Sequence, residues 1–325
     1  MNPATAGVWQ HFFRNRCKPA RRPVDSIGQG GYGSGRTFQS FRHWKSGERA
    51  VNQPAQESFK AKLKFLADLS ATPVYLPSKG GGDRTEHLGN YRDHEVDLHD
   101  ARAQLPATDL DREGFMLLAH ESAVTNFHDD ATLHATYHPE LIDLLKRVTG
   151  AHRVEVFDDT RRSSSVTNQR AHGARDPANV VHNDYTHDSG RRRFADFFSD
   201  APEELQRLKS RRFAILNVWR PIGEPVVDHP LVLCDARTVR EGDLVPMERR
   251  GADRTGELQV ALHEPEQRWY YYPRMHRDEV LLFKTYDSAL DGRARFTPHS
   301  SCKDPRAPGD APPRESLETR CLVFF

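Results

Sequence analysis

Residues 180–188 read Val-Val-His-Asn-Asp-Tyr-Thr-His-Asp, and the reading of His182-Asn183-Asp184 within them decides the fold. Along a strand, alternate side chains point to the same face, so His182 and Asp184 can reach one point in space. Two histidines and one carboxylate can occupy one face of a ferrous ion, leaving positions for a chelating co-substrate and dioxygen. The second imidazole must then come from another strand of a barrel. His299, in Thr297-Pro298-His299-Ser300-Ser301-Cys302, lies far enough downstream for several strands to intervene.

A lone His-x-Asp is weak evidence in a chain with 17 histidines. His276-Arg277-Asp278 repeats the pattern, but it is too close to His299 to cross two sheets and return. It also falls between two strand-like runs, where a turn is expected. His276 is kept as the alternative distal ligand. His187-Asp188 is a nearer decoy in a polar run heading for Gly190, whereas Val180-Val181 lead into His182 as a strand end. His128, His134, His138, His152 and His172 sit in polar stretches and read as surface or hydrogen-bonded residues.

Beyond His299 a Pro-rich loop, KDPRAPGDAPP, leads to Arg314-Glu315-Ser316. 2-Oxoglutarate chelates iron through its 2-oxo acid end, and its other carboxylate needs a buried cation. The planar fork of an arginine meets that need with two parallel charge-assisted hydrogen bonds. The spacing predicts Arg314 and Ser316 on one face of a strand adjacent to that of His299. Arg320 is in phase and competes for the role.

The 47 basic and 46 acidic residues nearly cancel, so charge gives no reason to invoke nucleic acid or a membrane surface. No apolar run approaches the ~20 residues of a membrane span, and the N-terminus has no secretory pattern. Cys17, Cys234, Cys302 and Cys321 lie far apart without CxxC, which fits a reducing cytoplasm.

Residues 1–55, rich in Gly, Ser, Arg and Gln, read as a poorly structured extension or lid. Residues 56–325 read as one domain. Phe59–Leu69 has helical spacing. TPVYLPSKGGGD is an extended piece ending in a glycine turn, and residues 93–120 hold an early strand or two. Pro139–Val148 is the clearest helix, stopped by Gly150. VEVFDD follows as a strand and Asp200–Lys209 as a second helix. After that come FAILNVW, PLVLCD, LQVALH, RWYYYP, EVLLFKTY, RARFTP and TRCLVFF, short strand-like runs separated by turn residues. No helical crossover separates them. The fold class expected is mainly β with flanking helices: an antiparallel double sheet, or jelly roll. Asn217 and Arg220 point to opposite faces of their strand, and the sequence does not say which lines the barrel.

The order VHNDYT, ILNVWRP, PLVLCD, RWYYYPRM, DEVLLFKTYDS, TPHSSCKDP, RESLETR resembles a family of bacterial and fungal non-haem iron dioxygenases. That family includes cephem 7α-methoxylase components, the gibberellin-desaturase-like fungal hydroxylase/desaturase proteins and an endoperoxide-forming enzyme. The likeness spans residues 70–325 and is densest after residue 180. It implies a double-stranded β-helix, Fe(II) and 2-oxoglutarate as cofactors, iron ligation by His182, Asp184 and His299, and the carboxylate-binding arginine within RESLETR. It further implies a cytoplasmic oxygenase, in a family suggestive of homodimers, that takes dioxygen and a small secondary metabolite and hydroxylates or desaturates it by hydrogen-atom abstraction. Family members carry an aromatic residue shortly after the distal histidine; here the sequence is Ser300-Ser301-Cys302, so that side of the pocket is expected to differ. Two other readings keep the jelly roll: a non-catalytic metabolite-binding or partner subunit of a two-component oxygenase, and a cupin-like metalloenzyme that needs no 2-oxoglutarate.

Overall fold

The computed structural model describes residues 58–105, 107–251 and 255–325. The expected extension or lid at 1–55 lies outside the described residues. Fifteen strands are described. In chain order they are β1 (Phe59–Leu66), β2 (Val74–Leu76), β3 (Glu86–Leu88), β4 (Tyr91–Asp100), β5 (Phe115–Ala119), β6 (Arg153–Ser163) and β7 (His182–Asn183). Then follow β8 (Phe213–Pro221), β9 (Leu231–Cys234), β10 (Leu244–Arg250), β11 (Thr255–Ala261), β12 (Trp269–Tyr271), β13 (Glu279–Asp287), β14 (His299–Ser301) and β15 (Glu315–Phe324).

They form two sheets, as expected for a jelly roll. The larger runs β1-β4-β12-β9-β14-β7-β11-β10-β2-β3, and the smaller runs β5-β13-β8-β15-β6. Every pairing in the smaller sheet is antiparallel. The larger sheet departs from that rule at β12–β4 and β10–β2, which are parallel.

The smaller sheet is covered on both faces, which is why FAILNVWRP is buried at every position. Its outer face, with Leu216, Val218, Leu282 and Leu317, packs on Leu141, Leu144 and Leu145 of the helix His138–Thr149. Each such fully buried leucine contributes about 1.5–3 kcal/mol. That helix is the one expected from the sequence, and Gly150 ends it with φ 72°. The inner face turns Asn217, Trp219 and Phe283 toward the larger sheet. Of the pair left open by the sequence, Asn217 lines the barrel. Arg220 points outward, donating to the carbonyls of His120 and Arg277 and lying over the Phe127 ring.

The helix expected over Phe59–Leu69 is instead β1. Phe59, Ala61, Leu63 and Phe65 are buried and Lys60, Lys62 and Lys64 between them are exposed or half-buried, a period of two. The period is fixed by pairing: Lys60, Lys62 and Lys64 stand opposite Asp97, Glu95 and Asp93 of β4. RARFTP is not a strand either. Ala294 donates to the carbonyl of Asp111, and strand pairing resumes only at His299. Among the described residues no helix is long and apolar enough to cross a membrane.

Candidate functional site

β7 and β14 are neighbours at the centre of the larger sheet, and His182 is paired directly with His299. The register puts the two rings 4.4 Å apart at their centroids. Asp184 follows β7 by one residue, and its Oδ1 lies 3.6 Å from His182 Nε2 and 3.9 Å from His299 Nε2. The three ligand atoms fall within 4.8 Å of one another.

Both imidazoles are fixed from behind. His182 Nδ1 lies 2.8 Å from the carbonyl of Val180, and His299 Nδ1 lies 2.9 Å from that of Thr297. Each Nδ1 therefore carries the proton and each Nε2 offers its lone pair toward Asp184. Burial, and then the charge of His299, pushes the pKa of His182 down to about 4, and burial lowers that of His299. Both rings are therefore neutral at ordinary pH, the form in which an imidazole can bind a metal.

The carboxylate is held as firmly. Asp184 Oδ2 accepts from Asn217 Nδ2 and from Arg320 Nε, each at 2.8 Å, which leaves Oδ1 facing the imidazoles. Burial alone would raise its pKa, but Arg320, His299 and His182 together hold it well below the usual carboxylate range. Arg320 also pairs with Asp158 and Glu318. Its guanidinium is engaged by three carboxylates.

Arg314 stands in a different environment. It is 2% exposed and lies 5.1 Å from the ring of Trp219. Its guanidinium donates to Ser316 Oγ, to Ser301 Oγ and to the carbonyl of His229, and none of these hydrogen bonds uses Nη2. No carboxylate pairs with it among the described residues. Burial, and then the neighbouring Arg162, pushes its pKa down to about 9. A narrow gap lined by His182, His299, Arg162, Glu318, Ser301 and Arg314 joins this cation to the histidines. Arg314 and His299 are not on adjacent strands as the sequence suggested: β14 and β15 belong to opposite sheets, and the Pro-rich loop crosses between them. The gap between the sheets follows from that crossing. Ser301, in the stretch where relatives carry an aromatic residue, takes a hydrogen bond from Arg314.

The rival histidines lie elsewhere. His276 sits in the turn before β13, with its backbone N–H bonded to Glu279 Oε2. His187 and Asp188 are exposed in the first turn of the helix His187–Phe197, which Thr186 and Ser189 cap reciprocally. His128, His172 and Glu315 form a second group with ligand atoms within 4.8 Å, but its members are exposed or half-buried. Asn217 and Arg162 are residues that sequence reasoning did not assign. Arg162 stands opposite Ser316 across β6 and β15 and so shares its face.

A family model described as "Oxidoreductase/YMDC permease-like domain" matches residues 63–324. Hydroxylase/desaturase CTB9 of Cercospora beticola is 37% identical over 279 residues, covering 77% of this chain and 84% of that protein. The Fe(II)/2-oxoglutarate-dependent dioxygenase nvfI of Aspergillus novofumigatus is 36% identical over 252 residues, covering 74% and 87%. The chain belongs to the Fe(II)/2-oxoglutarate-dependent dioxygenases of the hydroxylase/desaturase family. A solved structure of the iron and alpha-ketoglutarate-dependent endoperoxidase NvfI superimposes with a TM-score of 0.72 at 30% identity, covering 84% of this chain and 99% of that one. The donor set fits the family's metal, because two neutral imidazoles and one monodentate carboxylate oxygen are what a facial ferrous site requires.

Proposed function

We propose that the chain is an oxygenase that hydroxylates or desaturates a small secondary metabolite, with His182, Asp184 and His299 as iron ligands. Arg314 and Ser316 hold the far carboxylate of 2-oxoglutarate. One observation carries this reading: Arg314 is a fully buried cation with no acidic partner among the described residues, facing the metal-ligand cluster across a gap. A buried charge without a counter-ion is costly, and an entering dicarboxylate removes that cost. A cupin-like enzyme without 2-oxoglutarate gives no reason for such a cation.

When bound, the metal and 2-oxoglutarate activate dioxygen, with 2-oxoglutarate decarboxylated to succinate. The protein's part is positioning. Ser316 and Ser301 orient the Arg314 fork along the gap, and Trp219 closes the side of the guanidinium. Asn217 and Arg320 keep Asp184 ionised and turned so that one oxygen meets the metal. Arg320 thus acts on the iron ligand rather than on the co-substrate. Phe283, 4.7 Å from the His299 ring, shields the ligand from water.

In this proposal residues 56–325 form one oxygenase domain. The near balance of charge and the three described cysteines, all free and buried, support a cytoplasmic enzyme without a nucleic-acid partner. A homodimer belongs to the same proposal and rests on the sequence resemblance alone. The test is succinate formation from 2-oxoglutarate by iron-reconstituted protein. Asp184→Ala should abolish it; unchanged turnover in that variant would remove the site.

A further inference from the structure

A second opening, which Arg314 does not line, meets the metal-ligand cluster. It is a cleft of about 300 Å³ that exposes His182 and Asp184. Its walls hold six arginines: Arg162, Arg175, Arg192, Arg193, Arg249 and Arg320. Only three carboxylates line it, Asp158, Asp184 and Glu257, and all three are engaged. Arg320 pairs with Asp158 and Asp184. Glu257 accepts from Thr186 Oγ1 and pairs with Arg192.

The remaining arginines differ from one another. Arg193 lies over the Phe157 ring at 4.5 Å, and Arg162 donates to the carbonyl of Asp176 while also lining the gap to Arg314. Arg175 and Arg249 are half-buried, and neither pairs with a carboxylate among the described residues. They reach the cleft from separate elements. Arg175 is bridged to Arg162 of β6, and Arg249 of β10 is paired with Tyr75 of β2. Burial, and then Arg162, lowers the pKa of Arg175. Ferrous iron and the 2-oxoglutarate dianion cancel each other, so a loaded centre leaves this excess uncompensated. Tyr75, Phe157, Tyr185 and Leu258 supply apolar surface between the charges.

Building on the oxygenase reading above, we infer that the substrate is an acid: a small metabolite with a carboxylate or phosphate on an apolar body, its anionic group held by Arg175 and Arg249. The body lies against Tyr75, Phe157 and Leu258, over the open side of the metal site. Arginine forks suit either anion, and a partly desolvated charge-assisted pair discriminates strongly against a neutral analogue.

The test uses the full chain loaded anaerobically with Fe(II) and 2-oxoglutarate, titrated calorimetrically with 4-phenylbutyrate, phenyl phosphate and 4-phenylbutanol. The better of the two acids should bind at least tenfold more tightly than the alcohol, and added salt should narrow the gap. The double variant Arg175→Ala/Arg249→Ala should lose the preference, and Arg175→Lys/Arg249→Lys should keep part of it. An alcohol that binds as tightly as both acids, no binding by any of the three probes, or a preference that survives the double alanine variant would overturn the inference. The 2-oxoglutarate titration made during loading separates the two claims. If that co-substrate does not bind, the oxygenase reading fails, and acid preference is then read on the ligand-free protein.

Discussion

The two sheets divide the site between them. The larger sheet contributes both imidazoles from adjacent strands, with their Nδ1 atoms tied to the backbone carbonyls two residues before them. The smaller sheet contributes Asn217 and Arg320, which brace Asp184, and stands beside Arg314, with which no carboxylate pairs directly among the described residues. The metal half is therefore satisfied on its own terms, with every ligand neutralised or paired. The anion half is left with an excess cation. Charge left unbalanced in the barrel marks where ligands enter, whereas charge that is balanced marks where ligands are held from behind.

The sharpest way to break this division is Asp184→Ala. It should abolish metal binding and lower succinate formation by at least about 10³-fold, read by metal content and by succinate assay. Next in size is a test of the smaller sheet as a scaffold. Asp287, fully buried at the end of β13, pairs with Lys284 and Arg212. Burial would raise its pKa, but these cations hold it lowered. Its stabilisation is thus present above the unfolded value of about 3.9 and is lost as pH falls through the lower folded value. Asp287→Asn should cost about 1–3 kcal/mol at pH 7, because Lys284 and Arg212 lose their buried carboxylate and keep only the more exposed Asp111. The Tm gap from wild type should close as the medium becomes strongly acidic, and a pH-independent gap would refute the pairing. Asn217→Ala tests whether the small sheet supports the metal half from across the barrel. Metal affinity should fall about tenfold in competition titrations with a chelator. The smallest effect belongs to the edge of the larger sheet: Lys62→Glu, opposite Glu95, should cost about 0.2–1 kcal/mol in chemical denaturation and leave the site unchanged.

Much of this was legible in the sequence where local chemistry and long-range geometry agreed. His-x-Asp on a strand and a late histidine converge because β7 and β14 are sheet neighbours. The helix His138–Thr149 carried both its proline start and its glycine stop. Phe59–Leu66 misled because its apolar residues satisfy both a helical and an alternating spacing; the decision was made by acids some 30 residues away on β4. The crossing of the Pro-rich loop between sheets left no local mark, so Arg314 looked like a strand neighbour of His299. Arg320 was in phase with Arg314, as read, but phase does not reveal partners. Only the fold shows three carboxylates around one guanidinium and none pairing with the other. The helix His187–Phe197 was missed although Thr186-x-x-Ser189 signalled its start, because its arginine run hid the apolar face.

The most direct measurement is an anaerobic titration of the Fe(II)-loaded protein with 2-oxoglutarate, followed by the visible charge-transfer band. Arg314→Leu should keep its metal yet require about 10- to 100-fold more 2-oxoglutarate to reach half-saturation, the loss expected for a charge-assisted pair of about 1.5–3 kcal/mol. A band that saturates at the wild-type concentration in Arg314→Leu would contradict the assignment of the unpaired cation as the co-substrate's anchor.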